Sequence, residues 1–329
     1  MQRYSDLSVI SKSNFDAQES KPLDTLAREV TKEGVYEAEK PLSPSHKSFI
    51  NRRIAKAITS KMIFPLMDLN SSLKPSYLRT LSCNEILLQD GLKVSSKYCK
   101  NRFCVVCNRI KTAKVINEYL PIIDGLSDLT MLTLTIPSVK ADQLPSAYKM
   151  MLESFRRITR NIKKNYPQNS VIGFRAYECN YNSKKNTFNP HFHILMEGKT
   201  NAFLIKNLWL DQIKGASYKA QDVQSANSGA LIEIVKYVCK GVVKEQFYPQ
   251  AMDCIFRSLR GKKVFETFGI KKINLDMNTT SKTVIDFRTS DVDVWAWNHE
   301  VMNWTNSTGE LFIDHVFDQK TMDFLNKIK

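Results

Sequence analysis

The sequence lacks long apolar runs, has few glycines and prolines, and contains no phosphate-binding loop. No uninterrupted apolar stretch approaches the roughly 18 residues that a membrane-spanning helix requires. The 11 Gly and 11 Pro among 329 residues exclude a collagen-like or low-complexity chain. The pattern G-x-x-x-x-G-K-S/T does not occur, so a P-loop nucleotide site is excluded. Because the first residues lack a charged segment followed by an apolar one, we expect a soluble, cytoplasmic protein.

Acidic residues are too few to balance the basic ones. The chain has 48 Lys and Arg against 33 Asp and Glu, which gives a net charge of +15. Residues 1–45 carry six basic and eight acidic side chains, so residues 46–329 carry 42 basic and 25 acidic ones, an excess of 17. This excess favours a polyanionic partner, either nucleic acid or an anionic membrane surface. Residues 1–45 are polar and end in a Pro- and Ser-rich segment, which predicts a poorly ordered arm.

Hydrophobic periodicity predicts an α+β fold with an antiparallel sheet. Residues 129–136 (LTMLTLTI) alternate as a half-buried strand does, and residues 144–164 have the three- and four-residue spacing of a helix. Residues 171–181 and 191–196 predict a hairpin, and residues 230–242 predict a helix. The order strand, helix, strand, strand, helix is typical of α+β folds.

Residues 46–63 predict a basic amphipathic helix. Its apolar residues recur at every fourth position from Ile50 to Met62. The basic side chains on the rest of its circumference are Lys47, Arg52, Arg53, Lys56 and Lys61. We expect these side chains either to form the solvated face of a helix packed on the body of the protein or to contact DNA directly.

The sharpest local pattern is the sequence His191-Phe192-His193 on a predicted strand. Side chains alternate across a strand, so the two imidazoles lie on one face and can bind one metal ion. A chance pair of histidines on a polar face is the alternative interpretation. The context favours the metal site, because an acidic residue lies on the preceding strand.

Two acidic residues compete to be the third ligand. Glu178 could complete a site for Mg²⁺ or Mn²⁺ with open positions for water and substrate. Its alternation with Ala176, which is expected in the core, requires a bulge or a strand end to turn Glu178 towards the histidines. Glu197 is in register with both histidines, and its alternative role is that of a solvated strand end.

Glu233, Tyr237 and Lys240 lie at positions i, i+4 and i+7 of the predicted helix, so an acid, a phenol and an ammonium share one stripe. A tyrosine on a helix most often serves packing. A phenol can also attack a phosphate when a metal or another cation favours its anion. The polar character of this stripe favours the second interpretation.

Three cysteines fall within nine residues, and a fourth lies upstream. Cys99, Cys104 and Cys107, with Cys83, can form a tetrahedral thiolate zinc site, and buried thiols are the alternative. Basic side chains surround this segment without any acid, and we expect them to contact DNA. They are Arg102, Arg109, Lys111 and Lys114.

Taken in order, LTMLTLTI, PHFHILM and EIVKYVCK resemble the three motifs of plasmid rolling-circle replication initiators, which belong to the HUH endonuclease superfamily. The upstream CKNRFCVVCNRIK resembles the cysteine-rich segment that precedes the first motif in one branch of that family. Together these motifs cover roughly residues 83–245. The resemblance implies a five-stranded antiparallel sheet flanked by helices, preceded by the cysteine-rich segment.

The resemblance also implies roles for individual residues. The metal ligands that it implies are His191, His193 and Glu178. Tyr237 would be the nucleophile, Glu233 would activate water for the closing cleavage, and Lys240 would steady the phosphate. Asn189 departs from the family pattern, in which a His often precedes the Pro, and this puts a peripheral contact in doubt.

The same resemblance implies the partners. They are the plasmid double-strand origin, single-stranded DNA, a host helicase and a host DNA polymerase, with a homodimer as a further candidate assembly and no membrane. A transposase or a mobilisation relaxase with the same site is the nearest alternative. A zinc-containing DNA-binding regulator without nicking activity is the alternative of another class.

We divide the chain into four segments. Residues 1–45 form the arm, residues 46–115 the basic helix and Cys-rich DNA-binding segment, and residues 116–275 the endonuclease core with its flanking elements. Residues 276–329 form a C-terminal segment whose role the sequence does not assign.

Overall fold

The described residues form two antiparallel sheets with helices packed against them. A computed structural model describes residues 47–91, 93–169, 171–236, 247–270 and 292–328. One sheet has five strands and the other has four. The expected α+β fold with a five-stranded antiparallel sheet flanked by helices is therefore confirmed. No described helix has both the length and the apolarity that a bilayer crossing needs.

The elements are numbered in chain order. The described helices are α1 (Lys47–Met67), α2 (Lys74–Leu81), α3 (Val105–Asp124), α4 (Leu144–Asn165), α5 (Lys199–Gln212), α6 (Ala230–Lys236), α7 (Pro249–Ser258) and α8 (Gln319–Lys327). The described strands are β1 (Ile86–Asp90), β2 (Lys93–Ser96), β3 (Leu129–Thr135), β4 (Gly173–Asn182), β5 (Thr187–Glu197), β6 (Asp222–Ser225), β7 (Phe265–Phe268), β8 (Asp293–Asn298) and β9 (Asn303–Thr305).

The five-stranded sheet has the order β6-β3-β5-β4-β7, so β5 is its central strand. Residues 173–182 of β4 pair with β5 as a hairpin, and residues 129–135 of β3 pair with its other edge. Strand β5 begins at Thr187, four residues before its expected start. Both edges of β5 therefore have partners along the part of the strand that carries the histidines.

Helices cover both faces of this sheet. On one face Phe192 packs against Phe155 of α4 and Trp209 of α5, with ring centroids 6.0 Å apart in each pair. On the other face Phe174 packs against Tyr119 of α3, with ring centroids 5.2 Å apart. The buried apolar residues of α6 lie in the same cluster as Phe174. Strands β4 and β5 therefore bury apolar side chains on both faces of the sheet.

The four-stranded sheet joins segments that are distant in the sequence. Its order is β2-β1-β8-β9, and β8 pairs with β1 in antiparallel register. Trp295 Nε1 donates a hydrogen bond to Gln89 Oε1 across 206 positions of sequence. Trp304 is fully buried and donates to the carbonyl of Asn84. The described part of the C-terminal segment therefore completes a sheet begun by residues 86–96, and the proposed boundaries at 115 and 276 stay a prediction.

Helix α1 corrects the expectation for the basic helix. Arg53 lies inside the protein, where its guanidinium donates to the carbonyls of Met302, Val301 and His315. Lys56 is fully buried, and its ammonium donates to the carbonyl oxygens of Leu81 and Cys83 at 2.6 and 2.7 Å. These two cations therefore bind backbone carbonyl groups of neighbouring segments.

Burial explains why neither cation behaves as a surface charge. It lowers the pKa of Arg53 to about 10 and also lowers the pKa of Lys56. The expectation that the basic side chains of this helix form a solvated face or contact DNA is wrong for these two residues and for Arg52, which is also buried. Buried backbone carbonyl groups outside regular helices and strands need hydrogen-bond donors. A buried cation can donate to two or three of them at once.

Candidate metal centres and nucleic-acid interface

Glu178, His191 and His193 meet on one face of the five-stranded sheet. Glu178 lies directly opposite His191 in the β4–β5 register, and Ala176 lies opposite His193. Glu178 Oε2 is 3.5 Å from His191 Nε2 and 3.2 Å from His193 Nε2. One ligand atom from each of the three residues falls within 4.8 Å of the others, close enough to share one ion.

The bulge or strand end that we expected at Glu178 is absent. The β4–β5 register runs without interruption from residue 173 to residue 182. The expectation was wrong because it assumed that the face with Ala176 in the core could not also carry the histidines. In the structure Ala176 and Leu195 share that face with the histidines, beneath α3 and α6. A regular strand therefore carries Ala176 in the core and Glu178 at the site.

Both imidazoles are held through their second nitrogen. His191 Nδ1 is 3.0 Å from the carbonyl oxygen of Asn189, and His193 Nδ1 is 3.3 Å from Thr133 Oγ1 on β3. These contacts leave Nε2 of each ring directed towards Glu178. Such outer contacts fix the tautomer and orientation of metal-binding histidines.

Thr133 and the carbonyl of Asn189 are site groups that the sequence analysis missed. The alternation of Thr and Leu in LTMLTLTI places Thr133 on one face of β3, but only the register shows that it lies opposite His193. Asn189 contributes its backbone oxygen, which any residue at that position supplies. The contact between His191 Nδ1 and this backbone oxygen therefore does not depend on which side chain residue 189 carries.

The electrostatics of the cluster suit a cation. Burial raises the pKa of the Glu178 carboxyl, but the two close imidazoles outweigh burial and lower it to about 2. Glu178 Oε2 is buried and has no hydrogen-bond partner of good geometry among the described residues. A metal ion would satisfy this oxygen. Two imidazoles and one carboxylate suit Mn²⁺ better than Mg²⁺, which prefers oxygen ligands alone.

Glu197 lies away from this cluster. It is paired with Leu129 at the opposite end of β5 from His191. Its Oε1 accepts hydrogen bonds from the backbone N–H and the hydroxyl of Ser127, each 3.1 Å long. The structure therefore groups Glu178, and not Glu197, with the histidines.

The four cysteines also meet. Cys83, Cys99, Cys104 and Cys107 have sulfur atoms within 4.8 Å of one another. Cys107 Sγ is 3.5 Å from Cys83 Sγ and 3.7 Å from Cys99 Sγ. A zinc ion bound tetrahedrally with bonds of about 2.3 Å separates its sulfurs by about 3.8 Å. The observed separations and the all-sulfur donor set therefore fit a structural zinc site.

Backbone amides surround the sulfurs. Cys83 Sγ accepts from the N–H of Cys99, and Cys107 Sγ accepts from the N–H of Lys100, each at 3.3 Å. Cys104 caps the N-terminus of α3 by accepting from the N–H of Cys107. Hydrogen bonds within the cluster, chiefly to Cys104, lower the pKa of Cys99 and of Cys107. Hydrogen bonds to the other thiols, chiefly Cys107, raise the pKa of Cys104, and the pKa of Cys83 is also raised, because its bond to Cys104 is outweighed by its bonds to Cys107 and Cys99 and by its burial. The backbone amides and the two lowered pKa values favour thiolates at Cys99 and Cys107, the form that binds zinc.

The buried ammonium of Lys56 lies beside this cluster through its hydrogen bond to the Cys83 carbonyl. Burial lowers the pKa of Lys56, while the nearby Cys83, the carboxylate of Glu85, and then Cys104 and Cys99 raise it. A zinc ion with four thiolates carries a net charge of −2, so a neighbouring cation offsets part of that charge. The position of Lys56 is therefore explained by the same cluster.

Helix α6 covers the histidine face. Leu231, Ile234 and Val235 are buried in the cluster that includes Leu195 of β5. Glu233 is exposed on the same helix. Two of the sequence-predicted catalytic residues, Tyr237 and Lys240, lie outside the described residues. The last described turn before Tyr237 is therefore packed on the same face of the sheet as the histidines.

The predicted DNA-binding residues differ in exposure. Lys111 and Lys114 are exposed on α3. Arg109 is half-buried and, with Arg52, lines a cleft between α1 and α3. Arg102 is half-buried and donates to the carbonyl of Lys262 at 2.8 Å. Lys111 and Lys114 are thus the most accessible members of this group.

The fold and the two clusters define a basic α+β protein with two candidate metal centres. Comparison with known families agrees with the motifs. The chain belongs to the Replication protein family, whose pattern matches residues 92–306. No solved structure matches the chain.

Individual relatives are all named Protein rep. The relative from Staphylococcus aureus is 31% identical over 159 residues, which cover 42% of this chain and 68% of the relative. The relative from Streptococcus pneumoniae is 25% identical over 201 residues, 53% of this chain and 61% of the relative. The relative from Bacillus amyloliquefaciens is 33% identical over 112 residues, 32% of each chain. The matched regions thus span from one third to about two thirds of these relatives.

We expect protein purified without chelators to contain about one zinc ion per chain. Cys104→Ser and Cys107→Ser should each lose the ion and lower the free energy of unfolding by more than about 4 kcal/mol, because loss of a structural metal is among the most damaging changes. Metal analysis and urea unfolding measure both effects. Cys254→Ser, outside the cluster, is the control and should keep the ion. A zinc-free wild-type protein of ordinary stability would leave the buried-thiol interpretation.

For the histidine centre we expect Mn²⁺ to bind more tightly than Mg²⁺ in calorimetric titrations. His191→Ala, His193→Ala and Glu178→Gln should abolish binding at micromolar Mn²⁺. Thr133→Val removes only the contact to Nδ1 and should weaken binding about tenfold, the lower range for an outer-shell change. Glu197→Gln is the matched carboxylate control, with no expected effect. Weaker binding in that control, together with normal binding in Glu178→Gln, would contradict the assignment.

Proposed function

We propose that this protein is a plasmid rolling-circle replication initiator that nicks one strand of its origin. The observation that carries the proposal is the cluster of Glu178, His191 and His193 on the face covered by α6, the helix that leads into Tyr237. Membership of the Replication protein family supports the same function. The resemblance of the three motifs to those of rolling-circle initiators indicates the type of reaction, the cleavage of one DNA strand by a tyrosine.

In this proposal Glu178, His191 and His193 hold Mn²⁺ or Mg²⁺, which when bound polarises the scissile phosphate. The oxygen of Tyr237 attacks phosphorus and forms a new phosphorus–oxygen bond. The bond to the 3′ oxygen breaks, and this oxygen takes up a proton as the phenol loses its own. The products are a 5′-phosphotyrosine and a free 3′-OH, and the bond energy is retained for later strand transfer.

Two further residues have proposed roles in the same reaction. Lys240 steadies the phosphate through its positive charge. Glu233, one helical turn before Tyr237, acts as the general base for a water molecule in the closing cleavage. Its exposure on α6 supports this role, because a carboxylate that activates water must be accessible to it.

The DNA partners follow from the same proposal. The exposed side chains of Lys111 and Lys114, with Arg109 and Arg102 as less accessible members, contact the origin beside the cysteine cluster. The chain contains no P-loop pattern, so a host helicase unwinds the duplex and a host DNA polymerase extends the 3′-OH in the cytoplasm. A homodimer is compatible with this scheme and is not required by it.

We expect Tyr237→Phe to abolish nicking of supercoiled plasmid and the covalent DNA adduct, because only the phenolic oxygen is removed. Origin binding should stay within about twofold of wild type. Tyr248→Phe is the matched control, since Tyr248 packs against Tyr181, which points to the opposite face of β4 from Glu178. Adduct formation by Tyr237→Phe would move the nucleophile elsewhere. Failure of the wild-type protein to nick in Mn²⁺ would favour the DNA-binding regulator.

We expect Glu233→Ala to nick and form the adduct but to fail in termination. The residue is proposed as a base for water only after Tyr237 is joined to DNA, and such a base contributes about 10² to 10⁴ in rate. Multimeric single-stranded products should therefore accumulate in a plasmid replication assay, while Glu233→Gln should behave like Glu233→Ala. Normal monomeric circles from both variants would overturn the role. An inability of the wild-type protein to replicate the plasmid would favour a transposase or relaxase.

A further inference from the structure

The outer face of α4 carries a concentrated positive charge that the proposed reaction does not use. Of the nine residues from 156 to 164, near the C-terminal end of this helix, five are basic, and all five are exposed. They are Arg156, Arg157, Arg160, Lys163 and Lys164. At 100° per residue these side chains fall within about 120° of the helix circumference. The buried residues of α4, such as Phe155, Ile158 and Ile162, lie on the opposite side.

Nearby acids offset little of this charge. Lys149 pairs with Glu153 one turn earlier on the helix, and Arg156 lies 3.9 Å from Glu266. The other four basic residues of the face have no acidic partner within 4.0 Å in the described parts of the chain. A surface of this kind attracts an anion with several charges.

This face points away from the histidine centre. Phe155 of α4 contacts Phe192, whose side chain lies on the opposite side of β5 from His191 and His193. The sheet and the body of α4, a helix about 10 Å across, therefore separate the basic side chains from the proposed scissile phosphate. A strand bound at the histidines cannot reach the α4 face without leaving that site.

We infer that the outer face of α4 is a second DNA-binding surface, which contacts the backbone of duplex DNA away from the cleavage centre. The choice of DNA rests on the proposed function. The choice of duplex rests on the side chains of α4 itself. Both aromatic residues within α4, Tyr148 and Phe155, are buried, and one exposed ring, that of Tyr166, follows its C-terminal end. Proteins that hold single strands stack successive bases on several rings, so five cations beside one ring favour the backbone of a duplex. Arginine and lysine in such excess over aromatics are typical of phosphate contacts that carry no sequence information.

The five side chains extend over about 12 Å of helix, since each residue rises 1.5 Å. Duplex DNA presents many phosphates over that distance, so several of the five residues can contact the backbone together. Sequence-independent contacts of this kind would hold the duplex beside the origin while a melted strand occupies the histidine face. The inferred surface therefore adds affinity for duplex DNA, while cleavage takes place at the histidine centre on the opposite side of the sheet.

The test is a variant in which Arg157, Arg160, Lys163 and Lys164 are each replaced by Gln, which removes four charges and preserves helix propensity. Arg156 stays because of its contact with Glu266. The control removes four exposed charges elsewhere by replacing Lys74, Arg79, Lys199 and Lys214 with Gln. Circular dichroism and thermal unfolding establish that both variants are folded.

Binding is measured with a labelled random-sequence duplex and with a single strand of the same length, at several salt concentrations. We expect the α4 variant to bind duplex at least tenfold more weakly at low salt. The slope of log affinity against log salt should fall by about 0.9 for each lost phosphate contact, hence by about 2 to 4 in all. The control variant should lose much less, and single-strand binding should change little in both variants.

Equal duplex affinities for the two variants would overturn the inference, and an acidic protein partner would give that result. An equal loss of single-strand and duplex binding would also overturn it, because the face would then not select duplex. Cleavage of a short single-stranded origin oligonucleotide should be unchanged in the α4 variant. The duplex measurement does not depend on nicking, so failure of the proposed function and failure of this inference can be distinguished.

Discussion

The pairing of β5 on both of its edges determines the geometry of the histidine centre. Ladder hydrogen bonds hold directly opposite residues with Cβ atoms about 4.5–5.5 Å apart. They set Glu178 opposite His191 from one side and Thr133 opposite His193 from the other. Backbone pairing thus fixes the positions of the three metal-ligand candidates and of Thr133, which contacts His193. A site on paired strands is more precisely held than one on loops, so little reorganisation is needed when a cation binds.

Local sequence patterns predicted the elements that form this centre because each pattern is set by one strand or helix. The alternation at residues 129–136 and the spacing at residues 144–164 correspond to β3 and α4. The expectation of a bulge or strand end at Glu178 was wrong. Alternation distinguishes two faces of a strand, but it cannot tell that helices cover both of them. Ala176 and Glu178 share a face that changes from apolar to polar along its length, with Ala176 in the apolar cluster formed with α3 and α6 and Glu178 beside the two histidines.

The four-stranded sheet lay beyond the reach of sequence reasoning. Its strands are three to six residues long, and β8 finds its partner β1 far away in the chain. Short strands give weak periodic signals, and the pairing of distant segments leaves no local mark. The same limit applies to Arg53 and Lys56, because charged residues on a predicted amphipathic helix are normally exposed. Only the fold shows that carbonyls of distant loops meet these two cations.

Helix α3 joins the two candidate metal centres into one structural unit. Its N-terminus holds Cys104 and Cys107, while Ile116 further along packs on the face that carries His191 and His193. A loss of metal at the cysteines would free the first turn of a helix that also supports α6 and the segment leading to Tyr237. The exposed Lys111 and Lys114 lie between these two ends of α3, on the histidine side of the sheet. The basic face of α4 lies on the other side, so the sheet separates the two basic surfaces.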